Sequence, residues 1–408
     1  MAVVGIIAEY HPFHRGHAWQ IREIRKRLGE DAAVVVAMSG NFVQRGDFAM
    51  FRKHARAEMA LAGGADLVLE IPTPWAAATA ERFAQGGVAV LAGTGIVTHL
   101  AFGCECGEEQ PLVRVADALD APGYSELLRS RLAKGISFAA ARQSALTELV
   151  REDADVLSKP NNALAVEYLR AVSVKGCSIT PIAIQRNGAD HDSAELGEYS
   201  SASAIRSVLL SGGDWSLLVS KETAEIIRRE FGAGLAPVTM AVCERAILAR
   251  LRSMKEEDFS FYDSGNEGLY RRFYGAVHSQ NTVEAILSAA KTKRYPLARL
   301  RRMLLHSYLG VPEAGANEMP PYLRVLGANE RGRELLKRMR KCAALPVITK
   351  PGDAVKLGGE AETLFRKEAA CTDLYTLAMP DLSHSIPDIE YRTAAVMAGI
   401  FCERGQRR

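Results

Sequence analysis

The chain is 408 residues long with 48% hydrophobic residues, more than one compact core usually spans, so two domains are expected. Charged residues make up 24% and the formal net charge is only +3, which excludes a uniformly basic, polyanion-coating protein and confines any such signal to a local stretch. Seven scattered cysteines (104, 106, 177, 243, 342, 371 and 402) without a C-x-x-C pair fit reduced thiols; no apolar run approaches the roughly 20 residues of a membrane span, and a soluble cytoplasmic protein is expected.

In chain order, "VVGII", "AVVVAM", "ADLVLEI" and "VTHLAFG" read as strands, with "HAWQIREIRKRL" and "FRKHARAEMALAGG" as helices between them. That alternation predicts an α/β, Rossmann-like fold, a parallel sheet covered by helices on both faces. Residues 111 to 172 read as mainly helical, "CSITPIAIQ" as a further buried strand, and "SSASAIRSVLLSGG" as a helix stopped by Gly212 and Gly213. Beyond Trp215 helical periodicity dominates. The expected organisation is a nucleotide-binding domain over 1–213 followed by a mostly α-helical domain over 214–408.

Directly after the first strand, "AEYHPFHRGHAWQ" places His11, His14 and His17 within seven residues. In an open parallel sheet this is where loops lead into helix N-termini that attract anions. Two imidazoles there can donate to phosphate oxygens and stabilise charge on a reacting phosphorus. A zinc site is the competing reading, but no second ligand cluster completes it, and no metal ligand set is expected. Histidines that only cap a helix are the plainer alternative.

"HRGH", His14 to His17, resembles the H-x-G-H signature of the nucleotidyltransferase superfamily, and "YSSASAIRS" resembles its second, I-S-S-x-x-I-R type signature. "MSGNFVQRGDFAMFRKHARAEMALAGGADLVLEIP", "AERFAQGGVAVL", "LAFGCECGE", "KPNNALAVEYLRA", "KTKRYPLARLRRMLLHSYLG" and "PPYLRVLGANERGRELL" are similar to the bacterial tRNA(Met) cytidine acetate ligase family. The resemblance implies an enzyme that activates acetate with ATP as acetyl-adenylate, releases pyrophosphate, and transfers the acetyl group to the exocyclic amine of the wobble cytidine of elongator tRNA(Met). Mg2+ is expected beside the triphosphate.

Carried over by residue, the loop Ile7, Ala8, Glu9, Tyr10, His11, Pro12, Phe13, His14, Arg15, Gly16, His17 and Gln20 is expected around the triphosphate. Ser39, Gly40 and Asn41 are expected beside the α-phosphate and acetate, Lys53 on the triphosphate, and Gly103 under the adenosine. Asn161, Asn162 and Arg186 are expected on the nucleotide, and Ser201, Ser203 and Arg206 on the outer phosphates. Two residues depart from the family pattern, His11 and Arg15, where asparagines are usual. The acid-free stretch Lys291, Lys293, Arg294, Arg299, Arg301 and Arg302, with Tyr295 available to stack, is expected to bind RNA, although most charge runs are solvated helix faces. Three other readings compete: a small-molecule adenylyltransferase, a non-catalytic RNA-binding protein on the same fold, and a class I aminoacyl-tRNA synthetase, for which no K-M-S-K-S-like loop is found.

Overall fold

The computed structural model describes residues 1–136, 138–186, 200–263, 265 and 268–398; Tyr199 of the second signature and Cys402 lie outside them. The four strands expected in the first half form as β1 (Val3–Ala8), β2 (Ala33–Ser39), β5 (Leu67–Ile71) and β6 (His99–Cys104). A small hairpin, β3 (Phe42–Val43) and β4 (Asp47–Phe48), interrupts them, and β7 (Thr180–Gln185) is the strand expected from "CSITPIAIQ". The parallel order is β5-β2-β1-β6-β7.

Alternation along these strands sorts their side chains onto two faces. Val3, Ile7, Val35 and Leu69 join one apolar cluster with the helices Ala80–Gly93 and Pro160–Lys175. Val4, Ile6, Val34, Val36 and Val68 join another under the helices Arg15–Leu28, Lys53–Ala62 and Ala202–Ser211. Because both faces are covered, the strands read as continuous apolar runs.

The sheet runs across the expected boundary at residue 213. The helix Ala202–Ser211 does end at Gly212, whose φ of 72° suits a glycine cap. The second half is largely helical, with a third apolar cluster around Ile247, Phe273 and Leu304. Yet "LRVLGA" forms β8 (Leu323–Ala328), buried throughout and antiparallel to β5; β9 (Val347–Ile348) and β10 (Val396–Met397) pair with β8 in turn. A charged residue within that apolar run, flanked by helical periodicity, hides the strand from a sequence reading.

Arg324 on β8, Glu368 on the helix Gly359–Thr376 and Glu390 on the helix Ile389–Arg392 meet Glu70 of β5 and Lys53, all buried. Lys53 Nζ lies 2.8 Å from Glu70 Oε1 and 2.8 Å from Glu390 Oε2. Such a cluster is weak evidence of net stability, but it is intolerant of losing one partner.

Candidate active site

Strand order reverses at β1 and β6, and the carboxyl ends of these strands and β7 open into a cavity of about 410 Å3. Its floor is Ile6 to Glu9 of β1 and the following residue, Phe102 and Gly103 of β6, and Ile184 with Arg186 at β7. A Cβ on Gly103 would lie 3.3 Å from Arg186 Cγ, so the glycine keeps this floor open.

The helix Arg15–Leu28 starts at the cavity with His14 as its N-cap. His14 Nδ1 accepts the N–H of Gly16 at 3.1 Å, and His17 Nδ1 accepts the N–H of His14 at 3.2 Å. With both Nδ1 atoms acting as acceptors, the neutral rings carry their protons on Nε2. The rings stack with centroids 3.7 Å apart, and both line the cavity. The first turn holds no acidic residue, so nothing in it offsets the positive end of the helix.

A second helix N-terminus faces the same space. Ser201 caps Ala202–Ser211 by accepting the N–H of Ala204 at 3.1 Å, and its hydroxyl meets that of Ser203 at 3.0 Å. Ser203 and Arg206 line the cavity, and Arg206 Nη1 donates to the His11 carbonyl at 2.8 Å, tying the two signature segments together. Ser201 itself is a buried cap.

Of the remaining loop residues, Ile7, Ala8, Glu9, Tyr10, His11, Gly16 and Gln20 line the cavity, as does Asn161. His11 is occupied: its Nε2 accepts the Met50 N–H at 2.8 Å, while burial, then Arg206 and Arg56, push its pKa well below the usual imidazole value. It stays neutral and braces the loop against residues 49–51.

Several expected contacts lie elsewhere, for identifiable reasons. Pro12 and Phe13 are buried; a Cβ on Gly63 would lie 2.1 Å from the Phe13 ring, so that glycine makes room for it. Arg15 Nε donates to the Val219 carbonyl at 3.3 Å. Asn162 Oδ1 accepts the N–H groups of Glu105 and Cys106, ordering the turn after β6 from behind. Asn41 Oδ1 accepts the Lys53 N–H, and Gly40 packs over Glu70.

Lys53 is the clearest correction: its ammonium belongs to the buried carboxylates. Burial alone would lower its pKa, but Glu390 and Glu70 outweigh that and raise it. The cation that reaches the strand ends from the same helix is Arg56, fully buried, which the sequence reading missed. Its guanidinium donates to the carbonyls of Glu9, Ser39, Gly40 and Phe51 and approaches Ser39 Oγ at 3.4 Å; burial lowers its pKa to about 10. Ser39 is thus fully buried and held by Arg56. A single side chain fixes the carboxyl ends of β1 and β2.

The β3–β4 hairpin and Arg301 of the helix Leu297–Leu309 also line the cavity. Gly46 closes the three-residue turn with φ of 74°, a left-handed position that favours glycine. A Cβ there would lie 2.4 Å from the Arg302 backbone nitrogen, so the turn is seated directly on that helix. Asp47, the next residue, lines the cavity and feels both Arg301 and Arg206.

The basic stretch divides accordingly. Lys291, Lys293 and Arg294 are exposed. Arg299 pairs with Asp263 at 3.0 Å, Arg301 turns into the cavity, and burial lowers the pKa of Arg302. Tyr295 is 8% exposed, with Arg294 and Arg299 5.9 and 5.5 Å from its ring centre; it packs in the helical core rather than standing ready for a base.

The family signature of HIGH nucleotidyl transferases matches residues 1–388. The tRNA(Met) cytidine acetate ligase of Syntrophomonas wolfei is 36% identical over 399 residues, covering 93% of this chain and 96% of that protein. That of Caldanaerobacter subterraneus subsp. tengcongensis is 38% identical over 394 residues, covering 94% and 97%. The crystal structure of apo Thermotoga maritima TmcAL superposes with a TM-score of 0.91 at 32% identity, covering 97% of this chain and 99% of the other. The form bound to alpha-thio ATP gives 0.90 at the same identity and coverage. With its two signature segments meeting at one cavity on this sheet, the chain belongs to the HIGH nucleotidyl transferases and, among them, to the tRNA(Met) cytidine acetate ligase family.

Proposed function

We propose that the chain is an ATP-dependent ligase that activates acetate as acetyl-adenylate and passes the acetyl group to the wobble cytidine amine of elongator tRNA(Met). The observation that carries this reading is the convergence of two helix N-termini, one bearing stacked His14 and His17 and the other Ser203 and Arg206, on a single cavity at the sheet's switch point.

In the first step an acetate oxygen attacks the α-phosphorus and pyrophosphate leaves. The two imidazole Nε2–H groups donate to phosphate oxygens as charge spreads over them, while Arg206 and Arg186 offset the rest. Arg56 holds the floor carbonyls in place without facing the nucleotide. In the second step the cytidine amine, a poor nucleophile, meets a carboxyl already activated by its adenylate. Magnesium would accompany ATP and offset the charge of the triphosphate; among the described residues no group of three His, Cys, Asp or Glu side chains is placed to hold it. Lys291, Lys293 and Arg294 supply an exposed basic approach for RNA phosphates. No helix among the described residues is long and apolar enough to cross a membrane.

The test is mass spectrometry of tRNA(Met) after incubation with the protein, ATP and labelled acetate. An acetylated wobble cytidine is expected, with His14→Gln and His17→Gln each lowering adenylate formation by about 10²–10³-fold. An unmodified cytidine beside acid-independent nucleotide transfer would point to a small-molecule adenylyltransferase, and no turnover at all to an RNA-binding protein.

A further inference from the structure

Resting on the reading just given, we infer that Asp47 is the proton acceptor for the second step, removing the proton from the cytidine N4 as it attacks the acetyl carbonyl. In that step the N4–C bond forms, the bond from the acetyl carbon to the phosphate oxygen breaks, AMP leaves with the electron pair, and the N4 proton passes to the Asp47 carboxylate.

Among the described residues, few groups lining the cavity can accept a proton there. His11 Nε2 already takes the Met50 N–H, and the Nδ1 atoms of His14 and His17 take backbone N–H groups. Among the described residues lining the cavity the carboxylates are Glu9 and Asp47. Glu9 Oε1 accepts the Gln44 N–H at 2.7 Å, bracing the first strand to the hairpin. Asp47 Oδ1 accepts only the N–H of the next residue, Phe48, at 2.8 Å; this aims the carboxylate without tying it to another element, and no hydrogen bond among the described residues involves Oδ2.

Position favours the same residue. Through Gly46 the hairpin rests on the helix that follows the exposed basic residues Lys291, Lys293 and Arg294, so Asp47 lines the cavity one residue from that contact. Among the described residues, the charged groups acting on it are Arg301 of that helix and Arg206 of the second signature helix. Burial, their chief opponent, lifts the carboxyl above its ordinary value, towards a better base.

Wild type, Asp47→Asn and Asp47→Glu are loaded with ATP and labelled acetate, bound acetyl-adenylate is measured by acid quench, and single-turnover transfer to tRNA(Met) is followed from about pH 5 to 9. The transfer rate constant per bound adenylate should fall roughly 10²–10³-fold in Asp47→Asn, which should lose the rise with pH seen in wild type, while Asp47→Glu recovers both in large part. Transfer within about fivefold of wild type, with the rise retained, would overturn the assignment, as would a loss confined to the amount of adenylate formed. Wild type that forms acetyl-adenylate yet transfers nothing to tRNA(Met) overturns the proposed function and this assignment together, a result distinct from failure of Asp47 alone.

Discussion

Replacing Lys53 by Met separates a structural from a substrate-binding role. Lys53 is 2% exposed, and its Nζ touches Glu70 Oε1 at 2.8 Å, Glu70 Oε2 at 3.0 Å and Glu390 Oε2 at 2.8 Å. Glu390 is the more exacting partner: burial would raise its carboxyl, but Lys53, then His54 and Arg324, hold it down at about 2. Methionine fills the space of the lysine stem and supplies no charge. The loss should therefore be close to that for stranding one side of a buried pair, about 3–5 kcal/mol. Unfolding as one cooperative unit, a chain of this length would lose about 4–6 °C in Tm. Urea and thermal unfolding measure the effect, and Lys53→Met combined with Glu390→Gln should recover part of it, because the two changes share one interaction. An unchanged unfolding midpoint with the KM for ATP raised by about tenfold would refute the argument and return Lys53 to the triphosphate.

Burial, followed by Glu70, lifts Glu368 to about 8, so it is protonated at neutral pH. Since this folded value lies above the ordinary 4.5, its contribution to stability is complete below pH 4.5 and is lost as pH rises through 8; the urea midpoint should fall across that window, and Glu368→Gln should flatten the fall. The amide can still accept the Thr73 N–H that Glu368 Oε1 now accepts at 2.8 Å. Reversing the three exposed cations Lys291, Lys293 and Arg294 to Glu should weaken tRNA binding and reduce the log–log salt slope by about 2–3; an unchanged slope would place the RNA on another face.

The parallel strands and both signatures were legible because each is a local pattern: an unbroken apolar run, or a helix start with its polar residues at fixed spacing. What escaped depends on partners remote in the chain. Lys53 and Arg56 share one side of a helix at i, i+3, and spacing alone could not tell which would find buried carboxylates and which would find strand-end carbonyls. Residue 390 decides it, and nothing near residue 53 announces that. Tyr295 and Arg301 lie six residues apart in a stretch that looks uniformly basic, yet one enters the helical core and the other the cavity, where the β3–β4 turn is seated on the same helix. β8 was hidden by Arg324, whose charge breaks the apolar pattern and is neutralised by Glu390.

The pairing of β5 with β8 also imposes an order on birth at the ribosome. β5 leaves the exit tunnel long before Leu323–Ala328 is made, and at roughly 5–20 residues per second the intervening chain takes about 10–50 s to synthesise. Throughout that interval the outer edge of β5 is a row of unpaired backbone groups beside an apolar surface, the kind of edge to which other nascent chains adhere. The half-made protein lacks the strand that covers this edge, and the edge is paired only near the end of its own translation.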